Sequence, residues 1–265
     1  MVTESLRTIA YTLFNPTGNI TLLAETPVPT ASQPSVAAEL MAVEPEIEQV
    51  GFVSFDPDGV FLRMAGGEFC GNAAMSAAAM YLERRGRREG TVAVHVSGTA
   101  APVPVVLAAL PDGTWQGSIT MPHPEGVGTV KLPDGRPLPA VFFPGIIHVI
   151  LEEKMGKKAA EALAPVLCSQ LHADALGMMF LNRGQETLRP LVYVPGAGTL
   201  CWETACASGT TAVGAFLASE TGMPVTMQLK QPGGILEISA QPDGELILTG
   251  TVRAMRSAEA DIPIQ

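Results

Sequence analysis

Two cysteines stand out for the residues that come after them. Cys70 lies in Gly67-Glu68-Phe69-Cys70-Gly71-Asn72-Ala73-Ala74-Met75-Ser76, and Cys206 in Glu203-Thr204-Ala205-Cys206-Ala207-Ser208-Gly209-Thr210-Thr211. Each precedes a run of small residues that continues as an apolar stretch of helical composition. A thiol at a helix N-terminus faces backbone N–H groups with no partner inside the helix and the positive end of the helix dipole. Both favour the thiolate. One thiolate can then take a proton from a carbon acid while a second cysteine, as thiol, delivers a proton to the opposite face. The product is inverted at that carbon. The N–H groups around Gly71, Asn72, Ser208 and Gly209 suit a substrate carboxylate and the charge that develops as the carbon ionises. Gly71 and Gly209 let a ligand come close to the backbone. Asn72 offers a donor and an acceptor to an α-carboxylate or α-ammonium group.

The bland reading has weight too. Cysteine is among the most buried residue types, and an Ala/Gly/Ser-rich helix start also serves tight helix–sheet packing. For one such stretch packing is the better reading, but two matched stretches favour chemistry. From a different class, the same thiols suit a redox or binding protein that uses them as a reversible disulfide.

The elements that must position these residues can be read from local pattern. Ile9–Phe14 has strand composition and breaks at Asn15-Pro16-Thr17-Gly18-Asn19, a turn with exposed polar side chains. Ile20–Ala24 is a second strand, and Val36, Leu40 and Met41 have helical spacing over Ser35–Val43, with Ser35 as its cap. Val50–Phe55 and Val60–Met64 read as a hairpin about Asp56-Pro57-Asp58-Gly59. Ala73–Arg85, small and apolar on nearly every face, reads as a helix buried all round and ended by Gly86. Strands come next at Thr91–Val96, Val103–Leu110 and Trp115–Met121.

Met121-Pro122-His123-Pro124-Glu125-Gly126 is the best linker, and after it the grammar starts again. Strands are expected at Val127–Leu132, Pro139–Phe143, His148–Glu152, Met178–Asn182 and Leu188–Val194. An amphipathic helix over Ala159–Ala173 is expected to kink or break at Pro165. The second cysteine opens a helix at Thr210–Thr221, and a last hairpin joins Ile235–Ala240 to Glu245–Val252 through Pro242-Asp243-Gly244. The pattern predicts an α+β fold of two domains, 1–122 carrying Cys70 and 123–265 carrying Cys206, with the last strand able to return to the first. Frequent hairpins imply a mixed, largely antiparallel sheet curved around its buried helix, and the spacing of the cysteines suggests an internal duplication.

Composition narrows the function. Hydrophobic residues make up 47% of the 265 residues and charged ones 16%, as in a well-buried globular protein. A formal charge of -10 without a Lys/Arg stripe argues against nucleic acid, and Lys154, Lys157 and Lys158 read as a solvated helix face. The start shows no basic segment leading into an apolar one, and the longest apolar runs are strand-length, so a soluble cytoplasmic protein without membrane attachment is expected. The four cysteines, Cys70, Cys168, Cys201 and Cys206, match neither zinc nor secreted-disulfide spacing and read as free thiols. Cys168 and Cys201 read as structural.

Glu68-Phe69-Cys70-Gly71-Asn72-Ala73, with Glu203 and Cys206-Ala207-Ser208-Gly209-Thr210, resembles the paired motifs of the diaminopimelate epimerase family of amino-acid racemases. The Asn15–Asn19 turn and Gln231-Pro232-Gly233-Gly234 are similar to further landmarks of that family. The resemblance implies two pseudo-symmetric domains, each a barrel around a central helix, with a cysteine pair as acid and base and no pyridoxal phosphate or other cofactor. It departs from the epimerases proper where they carry a Glu-Arg pair, here Val194-Pro195-Gly196-Ala197-Gly198, and where they carry Gly-Asn-Pro-His, here Gly145-Ile146-Ile147-His148. Diaminopimelate is therefore disfavoured as substrate.

The branch of histidine racemases that supply D-histidine for metallophores is more similar. The similarity lies at Glu48-Gln49-Val50-Gly51-Phe52, at Met75-Ser76, at Gly177-Met178-Met179 and at Trp202-Glu203. This resemblance implies racemisation of L-histidine to D-histidine, another amino acid being the rival. It makes Glu48 the partner of an imidazole and Asn19, Asn72 and Glu203 contacts of the amino-acid head. Read from its own surroundings, Glu48 is equally a surface carboxylate near a strand start. His148 reads as a hydrogen-bonded structural histidine, and Met178 and Met179 as strand or pocket packing. No metal is implied. The partner is a small amino acid, and a homodimer is open to such a chain.

Overall fold

The computed structural model describes residues 5–264 except 58 and 243, so Asp58 and Asp243 of the two expected turns, and the first four residues, lie outside it. The chain divides into two compact units, Met1–Ile119 with Thr251–Gln265, and Thr120–Gly250.

The first unit contains β1 (Ser5–Pro16), β2 (Thr21–Ala24), α1 (Gln33–Val43), β3 (Gln49–Phe55), β4 (Val60–Met64), α2 (Gly71–Arg84), β5 (Glu89–Val96), β6 (Val103–Ala109) and β7 (Trp115–Thr120). Antiparallel pairs join β1 to β2, β3 to β4, β5 to β6 and β6 to β7. Parallel pairs join β2 to β3 and β4 to β5, where α1 and α2 supply the crossovers that parallel neighbours require. The long last strand of the chain neighbours β7 and pairs antiparallel with β1, so eight strands close into a mixed barrel.

Inside it lies α2, buried at every residue from Gly71 to Leu82. Its Ala73, Ala74, Ala77, Ala78 and Ala79 let the surrounding strands close in, while Met75 and Leu82 fill the gaps. Each large apolar side chain so buried contributes about 1.5–3 kcal/mol. Outside, α1 buries only one face, placing Val36, Ala37 and Leu40 in a cluster with Ile9, Leu13, Leu22 and Phe52.

The second unit repeats the plan with β8 (Gly126–Lys131), β9 (Pro137–Phe143), β10 (Ile146–Leu151), α3 (Lys157–Gln170), β11 (Leu176–Asn182), β12 (Thr187–Val194), β13 (Thr199–Trp202), α4 (Ala207–Thr221), β14 (Val225–Gln231), β15 (Gly234–Ala240) and the start of β16 (Leu246–Ile264). Its sheet runs β16-β15-β14-β12-β11-β10-β9-β8, with β13 beside β12. The crossovers again make the parallel pairs, β10 with β11 through α3 and β12 with β14 through α4. α4 is buried among β8–β11, β14 and β15, whereas α3 covers the outer side with Ala160, Ala164, Leu167 and Cys168. The α+β class, the mixed sheets and a buried helix opened by each cysteine agree with the sequence reading. Among the described residues no helix is long and apolar enough to cross a membrane.

Local expectations fail in several places. The Asn15–Asn19 turn does not expose its polar side chains: Thr17 and Asn19 are buried, held by hydrogen bonds to Thr251 and Glu48. Ser35 is not the cap of α1, which starts two residues earlier with Pro34 in its first turn; Ser35 Oγ instead donates to Ser32 O at 2.9 Å. Of the kink or break expected at Pro165, the break does not occur: α3 runs through that point, with its buried face continuing from Ala160 to Cys168. β14 escaped notice although Val225, Met227 and Leu229 alternate with exposed Thr226, Gln228 and Lys230; its backbone pairs with β15 along its whole length. β16 continues twelve residues past the predicted end at Val252 to Ile264. Alanines at 254, 258 and 260 supply half-buried positions among charged or exposed neighbours, which hides the apolar alternation.

Candidate functional site

Cys70 is the N-cap of α2. Its backbone is extended (φ −135°, ψ 111°), and its Sγ accepts a hydrogen bond from Ala73 N at 3.4 Å, as a Ser or Asp oxygen does in an ordinary cap. The half-buried thiol donates to Gln49 Oε1 at 3.0 Å. Gln49 is the first residue of β3, set beside Thr21 by the parallel register of β2 and β3. Its Nε2 donates to Asn19 Oδ1 at 2.5 Å and to Thr21 Oγ1 at 2.7 Å.

Asn19 in turn donates through Nδ2 to Glu48 Oε2 at 2.6 Å and accepts from Asn72 Nδ2 at 3.2 Å. The tight turn before it aims this side chain. Thr17 holds a left-handed conformation (φ 54°), uncommon for a residue with a Cβ. Two hydrogen bonds to the backbone of Thr251 pin it there, at 3.2 and 3.0 Å. Gly18 N donates to Asn15 Oδ1, and Asn19 N to Pro16 O. Asn19, Glu48, Cys70, Gly71 and Asn72 are thus gathered around one end of α2, with Asn19 and Asn72 almost wholly buried.

Cys206 caps α4 in the same way (φ −114°, ψ 109°), Sγ accepting from Gly209 N at 3.3 Å, with Ser208 Oγ at 3.6 Å. Here the surroundings differ. The thiol is buried, and burial pushes it well above the ordinary thiol range; the charge of Glu203 and a hydrogen bond to that carboxylate push the same way, against Ser208 and Gly209 N. Cys206 is therefore a protonated thiol at neutral pH. Its backbone N donates to Gln231 Oε1 at 2.9 Å. Gln231 Nε2 donates to Thr210 Oγ1 at 2.7 Å, and Thr210 Oγ1 to Cys206 O at 2.7 Å, which closes a buried ring of bonds around the cap. Glu203, Cys206, Ser208 and Gly209 gather at this helix end as expected.

Gly209 is required by packing as well. A Cβ there would lie 2.1 Å from Met179 Sδ, and one at Gly177 would lie 2.1 Å from His148 Nδ1 and 2.9 Å from Met179 Cε. Met179 and His148 are stacked under the cap through these two hollows.

His148 departs from the sequence reading. It is fully buried, with neither ring nitrogen hydrogen-bonded among the described residues, and it meets Phe143 edge-on at 6.0 Å. Burial lowers its pKa to about 3, so the ring is neutral. It is apolar packing in practice, set edge-on against Phe143 and over the hollow that Gly177 leaves. The residues that sequence reasoning passed over are Gln49 and Gln231. Each stands in a run that carries the resemblance, but only the fold brings Gln49 to Cys70 and Gln231 to Cys206.

Comparison with known proteins adds a family to this geometry. The family model described as "Histidine racemase CntK N-terminal domain" matches residues 8–256. A histidine racemase of Fusobacterium nucleatum is 29% identical over 259 residues, covering 94% of this chain and 95% of that protein. One from Staphylococcus aureus is 26% identical over 246 residues, covering 88% of this chain and 89% of that protein. The fold is similar to that of a predicted epimerase from Pseudomonas aeruginosa, with a TM-score of 0.69 at 16% identity over 95% of this chain and 99% of that one.

Proposed function

The chain belongs to the histidine racemase family, and from that premise we propose that it interconverts L- and D-histidine with Cys70 and Cys206 as its two bases. The observation that carries the mechanism is the duplicated cap: each unit presents one sulfur at the head of a buried helix, with an amide N–H on it. In the proposed reaction one cysteine, as thiolate, takes the α-proton, and the other, as thiol, returns a proton to the opposite face. The N–H groups opening α2 and α4 and the Ser208 hydroxyl bind the carboxylate and the negative charge that spreads onto it as the α-carbon ionises. Asn19, Asn72 and Glu203 contact the amino-acid head. Glu48 accepts the imidazole N–H, a carboxylate being an acceptor for several donors at once.

The proposal extends to a cytoplasmic location, a homodimer, and D-histidine made for metallophore synthesis. Sedimentation tests the assembly. The activity test is incubation of the reduced protein in D₂O with a panel of L-amino acids and no added cofactor. Histidine alone should lose its α-proton and yield the D-isomer. Exchange of another amino acid in preference to histidine would overturn the substrate, and exchange of none would overturn the racemase reading. Reductant is needed because oxidation of either thiol removes a base.

A further inference from the structure

We propose that Gln49 is a positioning residue that holds the proton on Cys70 in the resting protein and so sets how readily this cysteine becomes a base. The inference rests on the reading of Cys70 as one of the two acid–base groups. Its physical content is the direction of a hydrogen-bond chain. Glu48, as a carboxylate, can only accept, so Asn19 turns Nδ2 toward it at 2.6 Å and leaves Oδ1 facing the other way. Gln49 must therefore present Nε2 to Asn19. Thr21 fixes the same choice independently: its hydroxyl proton goes to Asn19 O at 3.0 Å, so its oxygen is left to accept from Gln49 Nε2.

With both N–H groups of Gln49 committed, Oε1 faces the sulfur, and that oxygen can only accept. Loss of the thiol proton would leave a negative sulfur 3.0 Å from a carbonyl oxygen, with the amide unable to rotate unless it gives up two other bonds. The Ala73 N–H on the same sulfur pulls the other way, toward the thiolate. On the elements around the cap the charged groups are Glu48 ahead of β3, Arg63 of β4, whose guanidinium lies against Gly67, and Glu68 before α2. They are common to the wild type and to variants at Gln49 and Thr21.

The test is peptide-resolved labelling of Cys70 by iodoacetamide from pH 6 to 10 in the full chain. Gln49→Met removes the acceptor at similar length. It should lower the pH midpoint and speed labelling at neutral pH about 3- to 10-fold, the size expected of one neutral hydrogen bond to the protonated form. Gln49→Glu keeps an acceptor, adds charge, and should move the midpoint upward. Thr21→Val, which unlocks the amide, should shift it down by less and keeps the test open if Gln49→Met does not fold. Labelling of Cys206 reports folding and should not move. An unchanged Cys70 midpoint in folded Gln49→Met and Thr21→Val, or an upward shift in either, overturns the inference. Wild-type racemisation by Cys70→Ser would instead overturn the two-base reading and leave a labelling shift standing.

Discussion

Cys70 and Cys206 head buried helices with nearly the same extended backbone, and each sulfur accepts from the amide three residues on. What surrounds them is not the same. The thiol of Cys70 is half-buried and faces the neutral amide of Gln49; that of Cys206 is buried and faces the carboxylate of Glu203. The third residue after each cysteine differs too: Ala73 in α2, and Gly209 in α4, where Met179 occupies the space of a Cβ. A helix cap is a local device, set by a few φ/ψ values and one donor, so it can be duplicated. The proton affinity of the capped thiol is a property of its environment, where burial and a neighbouring charge outweigh a single N–H. The two caps thus share a geometry, and at Cys206 burial and Glu203 hold the proton more firmly than a helix cap alone would.

The largest test asks whether both sites are needed. Cys70→Ser and Cys206→Ser should each lower kcat for histidine racemisation about 10³-fold or more, as loss of a general acid–base group does, measured by chiral chromatography. A variant that keeps wild-type turnover would reduce the comparison to one functional cysteine and one packing cysteine. Next, Gly209→Ala should destabilise the fold by about 1–3 kcal/mol in urea unfolding, because Met179 must move. Ala73→Gly should cost only about 0.5–1 kcal/mol, through lost helix propensity. Equal costs would mean that the two caps are packed alike.

Glu203→Gln sharpens the electrostatic half. Removing the charge lowers the Cys206 pKa toward the ordinary thiol value while burial still holds it above, so labelling of Cys206 at pH 8 should quicken about 3- to 10-fold with Cys70 unchanged. Stability moves with the same shift. Because folding raises the Cys206 pKa, its contribution is fully present below the ordinary thiol value of 9.0 and is lost as pH rises through the folded value. Wild type should thus go on losing stability to higher pH than Glu203→Gln, whose folded value lies closer to 9.0.

The smallest effect is expected at the outer helices, where the first unit has an ion pair at the edge of its apolar cluster and the buried face of α3 is apolar. Arg256, at 2.5 Å, and the Tyr11 hydroxyl hold Glu44 below the ordinary glutamate value of 4.5, against the cost of its burial. That stabilisation is present above pH 4.5 and lost as pH falls through the depressed folded value. Arg256 is half-exposed and screened, so Glu44→Gln should cost about 1 kcal/mol at pH 7 and flatten the acid limb of the stability curve.

The site was legible in the sequence where chemistry is local. Cys70-Gly71-Asn72 and Cys206-Ala207-Ser208-Gly209 mark helix starts by residue type alone, and the turn at Asn15–Asn19 is written in its Pro and Gly. Each is decided within a few residues of chain, so neighbours in sequence suffice. Gln49 and Gln231 stood in the runs that carry the resemblance without a role, because a glutamine has no function until its partners are known. The same limit explains β16: its alanines reveal an inward face only once β1 is alongside.

Composition, the two cysteine-headed apolar helices and the hairpin grammar between them determined an α+β chain built twice on one plan, and the residue types available for proton transfer. Tertiary structure alone decided how each thiol is held: the parallel pairing of Thr21 with Gln49 brings an acceptor to Cys70, and the burial of α4 sets Cys206 against Glu203 over Met179. The physical reason is range. Backbone caps and periodicity act over one helical turn, whereas desolvation, charge and the direction of a hydrogen-bond chain depend on which distant segments the fold places in contact.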